Sequence, residues 1–293
     1  MRVGVTGADG LLGGTLVSLW RRAGVDVAAW SVGDFDVRDA AATRRAIAAA
    51  APEVVLHLAA YTDVDRAEAE PELALAVNAG GTANVAAGCR EVGAHLVFVS
   101  TDYVFDGGAA GPIPPSAPRK PLGAYARTKA AGEAAVEASG GPWTIVRTAW
   151  AYGPGGRNFV DTVRDAAAAG RTLRVVDDQV GAPTSVRLVA EGLWALTGRR
   201  LSGHWHLTAS GAASWCEVAR AVYECAGADP SRVVPCSSRE SGRAARRPSY
   251  SVLDCRATEA ALGVALPAWQ EHVGVYVRER RMPGLGLIPG DVT

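Results

Sequence analysis

Short apolar runs alternate with alanine-rich stretches through the first half of the chain. The apolar runs are rich in valine and carry no polar alternation, which is typical of strands buried on both faces of a parallel sheet. The pattern predicts strands over Arg2–Thr6, Asp26–Trp30, Val54–Leu58, His95–Ser100 and Trp143–Thr148, and helices over Leu11–Ala23, Asp39–Ala50, Leu73–Val92 and Ala124–Ser139. Right-handed crossovers between such strands predict an α/β protein with a doubly wound parallel sheet.

The pattern is looser after residue 148. It predicts a turn over Gly153–Gly156, helices over Phe159–Ala169, Val186–Leu196 and Ser214–Cys225, strands over Leu173–Val176 and Gly203–Thr208, an arginine-rich loop over Ser237–Ser249 and a frayed tail over Pro283–Thr293. We expect residues 1–148 to form the sheet domain, with returning elements around 171–197. Residues 149–293 are expected to form mainly a smaller C-terminal lobe.

Composition and charge restrict the partners of the chain. Lys+Arg and Asp+Glu are equal at 30 each, so nothing favours nucleic acid or an anionic membrane as partner. The five cysteines are scattered without a paired motif, which favours free thiols in a reducing compartment. The chain shows no signal-peptide pattern and no apolar run of about 18 residues. We therefore expect a cytoplasmic protein.

A glycine-rich turn follows the first predicted strand and opens the first predicted helix. Gly7 and Gly10 allow a tight turn and a close approach of the backbone to a pyrophosphate, and Gly13 lets the helix pack against the strand. The helix N-terminus would face the phosphate charge. This context predicts a dinucleotide-binding Rossmann domain rather than an ordinary strand–helix turn, with cofactor contacts at Gly7, Asp9, Gly10, Leu11 and Leu12.

The end of the second predicted strand bears on the choice of dinucleotide. It lacks the acidic residue that binds the ribose 2′-hydroxyl of NAD and repels a 2′-phosphate, and Ser31 can donate to such a phosphate. No arginine stands beside Ser31. The strand therefore predicts NADPH as the preferred cofactor and leaves NADH open as a second one. Asp36 and Val37 are expected beside the adenine, although Asp36 is equally well explained as a helix cap.

Tyr125 and Lys129 lie four residues apart, on one face of a predicted helix. Reduction of a ketone needs a hydride, which a nicotinamide supplies, and a proton for the developing alkoxide. Tyrosine can give that proton, and a nearby ammonium lowers its ordinary pKa of about 10. The alternative is a surface contact between the two side chains. The spacing predicts a catalytic pair, with Lys129 also holding the nicotinamide ribose.

Hydroxyl side chains end the fourth predicted strand, at the sheet edge where ligands of doubly wound proteins bind. A hydroxyl there can donate to a substrate carbonyl and stabilise the charge that develops on its oxygen. We expect Thr101 to be this donor, with Ser100 in support. The alternative is that either hydroxyl caps the local backbone.

Six segments together resemble the dTDP-4-dehydrorhamnose reductase branch of the extended short-chain dehydrogenase/reductase family. They are HLAAYTDVDRAE at 57–68, STDYVFDG at 100–107, PLGAYARTK at 121–129, RTAWAY at 147–152, DQVGAPT at 178–184 and Arg247-Pro248. The likeness spans residues 1–280 and is specific to this branch. It implies NADPH-dependent reduction of the 4-keto group of a dTDP-4-keto-6-deoxyhexose, with dTDP-4-dehydro-L-rhamnose as the usual substrate and dTDP-L-rhamnose as product.

The resemblance also implies roles for individual residues. Its catalytic triad falls on Thr101, Tyr125 and Lys129, and its further cofactor positions include Gly13, Ala59, Ala60 and Tyr61. Positions near the sugar nucleotide fall on Thr62, Val64, Asp102, Tyr103, Trp150, Asn158 and Arg247. Without the resemblance, Trp150 would be interpreted as a core residue. Arg247 would be interpreted as part of a solvated basic loop with Arg239, Arg243 and Arg246.

Two features bear on metals. Some family members bridge dimers through a metal held by glutamates, and Thr15 and Arg187 stand at two of those positions. We therefore expect a monomer, or a homodimer without a bridging metal. The run His204-Trp205-His206 places two imidazoles on one strand face, but no third ligand is evident, which favours a structural role.

Two other functions remain open. Sugar-nucleotide epimerases and 4,6-dehydratases belong to the same superfamily. The dehydratases have the sequence Thr-Asp-Glu where this chain has Thr101, Asp102 and Tyr103, so the acid pair that dehydration needs is missing here. The regulatory subunit of methionine adenosyltransferase, which is not catalytic, also resembles these reductases. Among the reductases, the sequence does not distinguish an enzyme of rhamnose synthesis from one of a natural-product deoxysugar pathway. It also leaves open the configuration at C4 of the product.

Overall fold

The computed structural model describes residues 1–289. Strands β1–β12 span Arg2–Thr6, Asp26–Trp30, Val54–His57, His95–Thr101, Trp143–Thr148, Ala151–Tyr152, Leu173–Val176, Val180–Gly181, Thr184–Ser185, Gly203–His206, Ala213–Ser214 and Val233–Cys236. Helices α1–α11 span Leu11–Arg22, Ala40–Ala50, Arg66–Ala69, Pro71–Leu75, Thr82–Val92, Ala124–Glu137, Phe159–Ala168, Val186–Gly198, Trp215–Cys225, Arg256–Leu262 and Trp269–Glu279. A π-helix spans Ala76–Gly81, and short 3₁₀ helices span Asp102–Val104 and Pro230–Arg232.

The central sheet has six strands in the order β10-β5-β4-β3-β1-β2. All of its pairings are parallel, with Thr6 opposite His57 and Thr101 opposite Thr148. The predicted doubly wound parallel sheet is confirmed. The chain passes from β1 outward to β2 and then returns to β3 on the other side of β1. Ligands of such sheets bind at this reversal, beyond the carboxyl ends of the strands.

Both faces of the sheet are buried, which explains the unbroken apolar runs. Val3, Val5 and Leu56 in the central strands are fully buried. On one face α1 packs against α8, where the indole nitrogen of Trp20 donates to the Ala190 carbonyl at 3.2 Å. A second core cluster, on the other face, includes Ile47 of α2. Because the first cluster continues into α7, α9 and α11, the C-terminal half shares the core of the sheet.

The chain is helical without a break from Pro71 to Val92, so the predicted helix over Leu73–Val92 is confirmed in extent. The prediction of a regular α-helix is wrong only in the middle turn, where a π-helix joins α4 to α5. The π-helix widens the turn at Asn78, whose side chain bonds to the backbone of Tyr61 and to Thr128. Gly81 faces Val37 so closely that a Cβ atom would lie 2.6 Å from its Cγ2. Such widened turns are concentrated at functional sites, and this one adjoins the cleft described below.

The predicted return of Leu173–Val176 to the central sheet is also wrong. This strand, β7, pairs in parallel with β12 to form a separate two-stranded sheet. The central sheet is completed by β10, which pairs with β5 and ends at His206 rather than at Thr208. Strand β12 is only four residues long, so neither the strand nor its pairing with β7 was predicted from the sequence.

The segment 283–289 does not fray. Glu191 is fully buried, and its carboxylate accepts from the backbone nitrogens of Leu285 and Leu287 at 2.7 and 3.2 Å. Ile288 is 3% exposed and joins the main core cluster. The apolar side chains of this segment thus outweigh its Gly and Pro content. The rest of the predicted tail, residues 290–293, lies outside the described part of the chain.

Across residues 1–289, no helix has the length and apolar character needed to cross a bilayer.

Candidate active site

The turn between β1 and α1 is closely fitted to the backbone around it. Gly7 has φ +67°, and a Cβ atom there would lie 2.7 Å from the Ala59 backbone nitrogen. A Cβ atom on Gly13 would overlap the Gly7 carbonyl oxygen. Gly7 thus adopts a left-handed conformation that favours glycine, and Gly13 allows the helix to pack on the turn.

Helix α1 begins without a side-chain cap. Gly10 occupies the N-cap position, and the first turn contains no acidic residue. The free backbone N–H groups and the helix dipole therefore favour an anion at this end. The glycine cradle and the uncapped helix together fit the pyrophosphate of a dinucleotide.

A cleft of about 790 Å³ lies at this turn, beyond the carboxyl ends of the strands. The structure places all of the predicted cofactor contacts on its walls: Gly7, Asp9, Gly10, Leu11, Leu12, Gly13, Ser31, Asp36, Val37, Ala59, Ala60, Tyr61, Tyr125 and Lys129. Thr101 and Ser100 line the same cleft. One space thus brings the glycine turn and the predicted catalytic residues together.

The expectation that no acidic residue lies at the tip of β2 is wrong. Asp34 folds back so that its carboxylate accepts from the backbone nitrogen and the hydroxyl of Ser31, at 2.8 and 2.9 Å. Because Ser31 donates to it, the pKa of Asp34 is lowered. Arg38 also lines the cleft, and its Nε donates to Asp36 at 3.0 Å. An acid therefore stands beside Ser31, brought there by the turn after β2.

Tyr125 and Lys129 lie in the first turns of α6, next to the end of β4. The Lys129 ammonium donates to the Val99 carbonyl at 2.8 Å and lies 4.0 Å above the Phe98 ring. Burial raises the pKa of Tyr125, and the nearby Thr101 hydroxyl opposes this only in part. The Tyr103 ring meets the Tyr125 ring edge-on, with centroids 6.2 Å apart. The triad residues thus converge on one end of the cleft.

The titration of the pair differs from the sequence-based expectation. Burial raises the pKa of Tyr125, and the charge of Asp102 raises it further. Burial lowers the pKa of Lys129 to about 7, against the opposing effect of Glu133. Desolvation is the largest effect on the pKa of both groups.

A buried ion pair anchors α6 to the sheet. Arg147 of β5 donates from Nε and Nη2 to the two carboxylate oxygens of Glu133, at 2.9 and 2.7 Å. The side chains are 2% and 0% exposed. Arg119 adds a second ion pair to Glu133 at 3.2 Å. Because Glu133 lies one turn beyond Lys129, the pair fixes the catalytic helix against the strand next to Thr101.

Comparison with known proteins agrees with this geometry. Residues 1–282 match the family model described as the RmlD substrate binding domain. A dTDP-4-dehydrorhamnose reductase of Streptomyces griseus is 46% identical over 85% of this chain and 84% of its own. The chain belongs to the dTDP-4-dehydrorhamnose reductase family.

Two further relatives bear on cofactor and substrate. A dTDP-4-dehydrorhamnose reductase of Bacillus anthracis, solved in complex with NADP, has 34% identity and a TM-score of 0.89, over 93% of this chain and 96% of its own. A dTDP-4-keto-6-deoxy-D-glucose reductase of Streptomyces niveus is 42% identical over 85% of this chain and 87% of its own.

Only some of the positions that the family places near the sugar nucleotide line the cleft. Thr62 and Trp150 line the cleft. Asn158 caps α7 through Asp161, and its side-chain amide donates to the Gly153 carbonyl at 2.8 Å. The remaining four positions, Val64, Asp102, Tyr103 and Arg247, do not line the cleft.

Arg247 is not solvated. It is 11% exposed, and it holds the Asp65 carboxylate through two contacts at 2.9 and 3.0 Å. Arg243 joins the same carboxylate at 3.1 Å. These contacts lower the pKa of Asp65 to about 2. The predicted Ser237–Ser249 loop is thereby tied to the segment after β3.

Trp150 is neither exposed nor an ordinary core residue. Its φ of +47° is unusual for a residue with a side chain. Its indole stacks on Trp215 with centroids 3.6 Å apart and planes 5° apart. A Cβ atom on Gly181 would lie 2.5 Å from the indole. Gly181, in the DQVGAPT segment, therefore leaves the space that the indole fills.

The fold brings two carboxylates close to the His204 imidazole, which the sequence did not indicate. Ligand atoms of Glu133, Glu137 and His204 lie within 4.8 Å of one another. Both carboxylates are, however, bound by arginines, and His204 lies 2.9 Å from Glu137. This arrangement is an ion-pair network, so we propose no metal there.

The two positions that hold a bridging metal in some family members are Thr15 and Arg187 in this chain. Arg187 donates to Glu191 at 2.9 Å, and Thr15 lines a second cleft of about 370 Å³.

Sequence reasoning missed two positioning residues. The Glu68 carboxylate accepts from the backbone nitrogen of Ala124 at 2.6 Å and so caps the catalytic helix from α3. Asn78 joins the Tyr61 loop to α6 through Thr128. Glu68 lies in the HLAAYTDVDRAE segment, which was the available signal. Asn78 lies in an alanine-rich stretch without such a signal.

Proposed function

We propose that this protein uses NADPH to reduce the 4-keto group of a dTDP-4-keto-6-deoxyhexose, with dTDP-4-dehydro-L-rhamnose as substrate and dTDP-L-rhamnose as product. The observation that carries the proposal is the meeting of Thr101, Tyr125 and Lys129 in one cleft with the glycine turn. The named activity of the Streptomyces griseus relative supports the substrate, and NADP in the Bacillus anthracis structure supports the cofactor.

The chemistry divides between cofactor and side chains. Bound NADPH supplies the hydride that the ketone carbon takes up. Tyr125 donates its phenolic proton to the ketone oxygen, and Thr101 donates a hydrogen bond to the same oxygen. The Lys129 ammonium favours the tyrosinate left after the transfer. Hydride on carbon and proton on oxygen together balance the reduction to an alcohol.

The sugar nucleotide is proposed to lie beside Thr62 and Trp150 at the triad end of the cleft. Val64, Tyr103, Asn158 and Arg247 remain proposed contacts from the family. Asp102, the other family position, is 1% exposed and does not line the cleft, so it is proposed to act without touching the sugar. For Arg247 to bind the diphosphate, its guanidinium must exchange the Asp65 carboxylate for phosphate oxygens. Both are acceptors that a guanidinium binds through two parallel hydrogen bonds.

A second candidate is a 4-ketoreductase of a natural-product deoxysugar pathway. The Streptomyces niveus relative, named as a dTDP-4-keto-6-deoxy-D-glucose reductase, favours it. The two functions share the triad and differ in the sugar that the pocket accepts. An NADPH-oxidation assay across a panel of dTDP-4-keto-6-deoxyhexoses, with NMR of each product, separates them. Repeating it with NADH tests the cofactor preference, and a strong NADH preference would contradict the proposal.

The variant Tyr125→Phe tests the catalytic role directly. General acid catalysis is worth about 100- to 10,000-fold, so kcat is expected to fall by that factor while NADPH binding is kept. Tyr152→Phe is the matched control, because the Tyr152 hydroxyl is buried without a hydrogen-bond partner among the described residues. Unchanged turnover in Tyr125→Phe would show that this residue is not the proton donor. The alternative of a non-catalytic NADP-binding subunit would then stay open.

The setting of the enzyme is also a proposal. We infer a cytoplasmic location, which the five free cysteines support. We further propose a monomer or a homodimer without a bridging metal, supported by the Arg187–Glu191 ion pair. Light scattering with and without a chelator tests this, and dissociation by the chelator would refute it.

A further inference from the structure

Asp102 follows Thr101 directly, yet it faces away from the cleft. It is 1% exposed and is not among the residues that line the cleft. The Thr101 hydroxyl donates to its Oδ1 at 3.0 Å. Its Oδ2 has no hydrogen-bond partner among the described residues. A carboxyl group so buried and only half satisfied is costly, and it touches the side chain proposed to polarise the ketone.

The hydrogen bonds of Thr101 explain why this contact matters. A threonine hydroxyl has one proton to donate and two lone pairs that accept. One lone pair already accepts the backbone N–H of Tyr103 at 3.2 Å. If Asp102 is ionised, the single Thr101 proton is donated to Asp102 and is not available to a substrate oxygen. If Asp102 is neutral, its own O–H can donate to the second lone pair of Thr101, and the Thr101 proton is free for the cleft.

We propose that Asp102 is a positioning residue whose neutral carboxylic acid donates to Thr101 and so directs the Thr101 hydroxyl proton toward the ketone oxygen. The inference rests on the proposed reductase function. Asp102 keeps its proton throughout the reaction, because Tyr125 supplies the one that the alkoxide takes up. It acts only through Thr101.

The surroundings of Asp102 favour the neutral form. Burial raises the pKa of Asp102 to about 7, and the hydroxyls of Ser251 and Thr101 and the backbone N–H groups of Asp102 and Tyr103 offset this only in part. Besides these groups, the rings of Tyr103 and Tyr125 lie close to the carboxyl. In residues 1–289 no arginine or lysine forms an ion pair with Asp102. Arg247 reaches this cluster only through Tyr103.

Ionisation of Asp102 also acts against Tyr125. A negative charge on Asp102 raises the pKa of Tyr125, which makes the phenol a weaker acid. Both hydrogen-bond donors to the ketone are therefore impaired by one ionisation. The neutral carboxyl restores both.

The test is the cost of Thr101→Val as a function of pH. Loss of one oxyanion donor costs about 100- to 1,000-fold in kcat, and we expect that cost at about pH 5.5. At about pH 8.5, where Asp102 already withdraws the Thr101 proton, we expect the same substitution to cost less than about tenfold. Each cost is the ratio of the wild-type kcat to the Thr101→Val kcat at one pH. Ionisation of Lys129 affects both enzymes alike and therefore cancels from this ratio.

Asp102→Asn supplies the decisive comparison. An amide does not titrate in this range, so the cost of Thr101→Val in an Asp102→Asn background is expected to be the same at both pH values. Asp106→Asn is the matched control on the same segment, where the pH dependence should persist. A merely structural role for Asp102 predicts a pH-independent cost in the wild-type background, and that result would overturn the proposal.

A direct titration separates this inference from the proposed function. The infrared C=O band of a protonated carboxylic acid, taken as wild type minus Asp102→Asn, is expected at neutral pH and lost above it. Its absence at about pH 5.5, well below the raised pKa, would overturn the inference whatever the enzyme reduces. If the band titrates as expected but no dTDP-4-keto sugar is turned over, the proposed function fails instead.

Discussion

The substitution Glu133→Gln breaks the buried ion pair that joins the catalytic helix to β5. It removes one charge and leaves Arg147, 2% exposed, with an unpaired guanidinium. The second partner of Glu133, Arg119, keeps its ion pair with Glu137. Glutamine is almost the same size, so the packing of α6 is kept. The experiment therefore measures an unpaired buried charge rather than a cavity.

The structure sets the expected magnitude. Breaking a buried pair by removing one partner costs about 3–5 kcal/mol. Arg147 retains the Pro115 carbonyl at 2.9 Å and the His206 ring nitrogen at 3.3 Å, which favours the lower end. For a protein of this size about 2 °C of Tm corresponds to each kcal/mol, so a loss of about 3 kcal/mol lowers Tm by about 6 °C.

The assay is urea unfolding at neutral pH, with calorimetry for Tm. Glu91→Gln is the control, because Glu91 and its partner Arg44 are 46% and 49% exposed and exposed pairs contribute about 0–1 kcal/mol. The double variant Glu133→Leu/Arg147→Met removes both charges and is expected to be more stable than Glu133→Gln, since well-packed apolar pairs often replace buried ion pairs without loss.

Two results would refute the reasoning. One is a loss below about 1 kcal/mol in Glu133→Gln, which would mean that Arg147 is adequately solvated without its partner. The other is a double variant less stable than the single one, which would mean that the pair itself, and not the stranded charge, carries the stability.

Two further expectations follow from the geometry. Gly13→Ala should weaken NADPH binding at least about tenfold in a fluorescence titration, because its Cβ atom would overlap the Gly7 carbonyl oxygen, whereas Gly14→Ala, with 3.9 Å of clearance, should bind normally and gain up to about 1 kcal/mol. Stability should fall as pH drops below about 6.5, because burial lowers the pKa of four histidines that the unfolded chain protonates more readily than the folded one. Three of them, His57, His206 and His272, have pKa values of about 3, 3 and 4, and the fourth is His95. Urea unfolding at successive pH values checks this; a flat profile between about pH 6.5 and pH 4 would contradict it.

Local patterns determined much of this protein. Valine-rich runs between alanine-rich helices predicted the parallel sheet, because a strand buried on both faces must be apolar throughout. Glycine at positions 7 and 13 predicted the turn, because only a residue without a side chain fits both a left-handed backbone and a close helix contact. Tyr125 and Lys129 were predicted to share a helix face by their spacing alone.

Only the tertiary structure decided what those residues face. Asp102, read along the chain, is one more polar residue at a strand end. Only the fold buries it to 1% exposure and brings the Ser251 hydroxyl beside it. The Glu133–Arg147 pair joins elements that the sequence separates, and β7 pairs with β12 although nothing local links them. A sequence pattern records which residues prefer water, but the pKa of a side chain and its hydrogen-bond partner are set by neighbours distant in the chain.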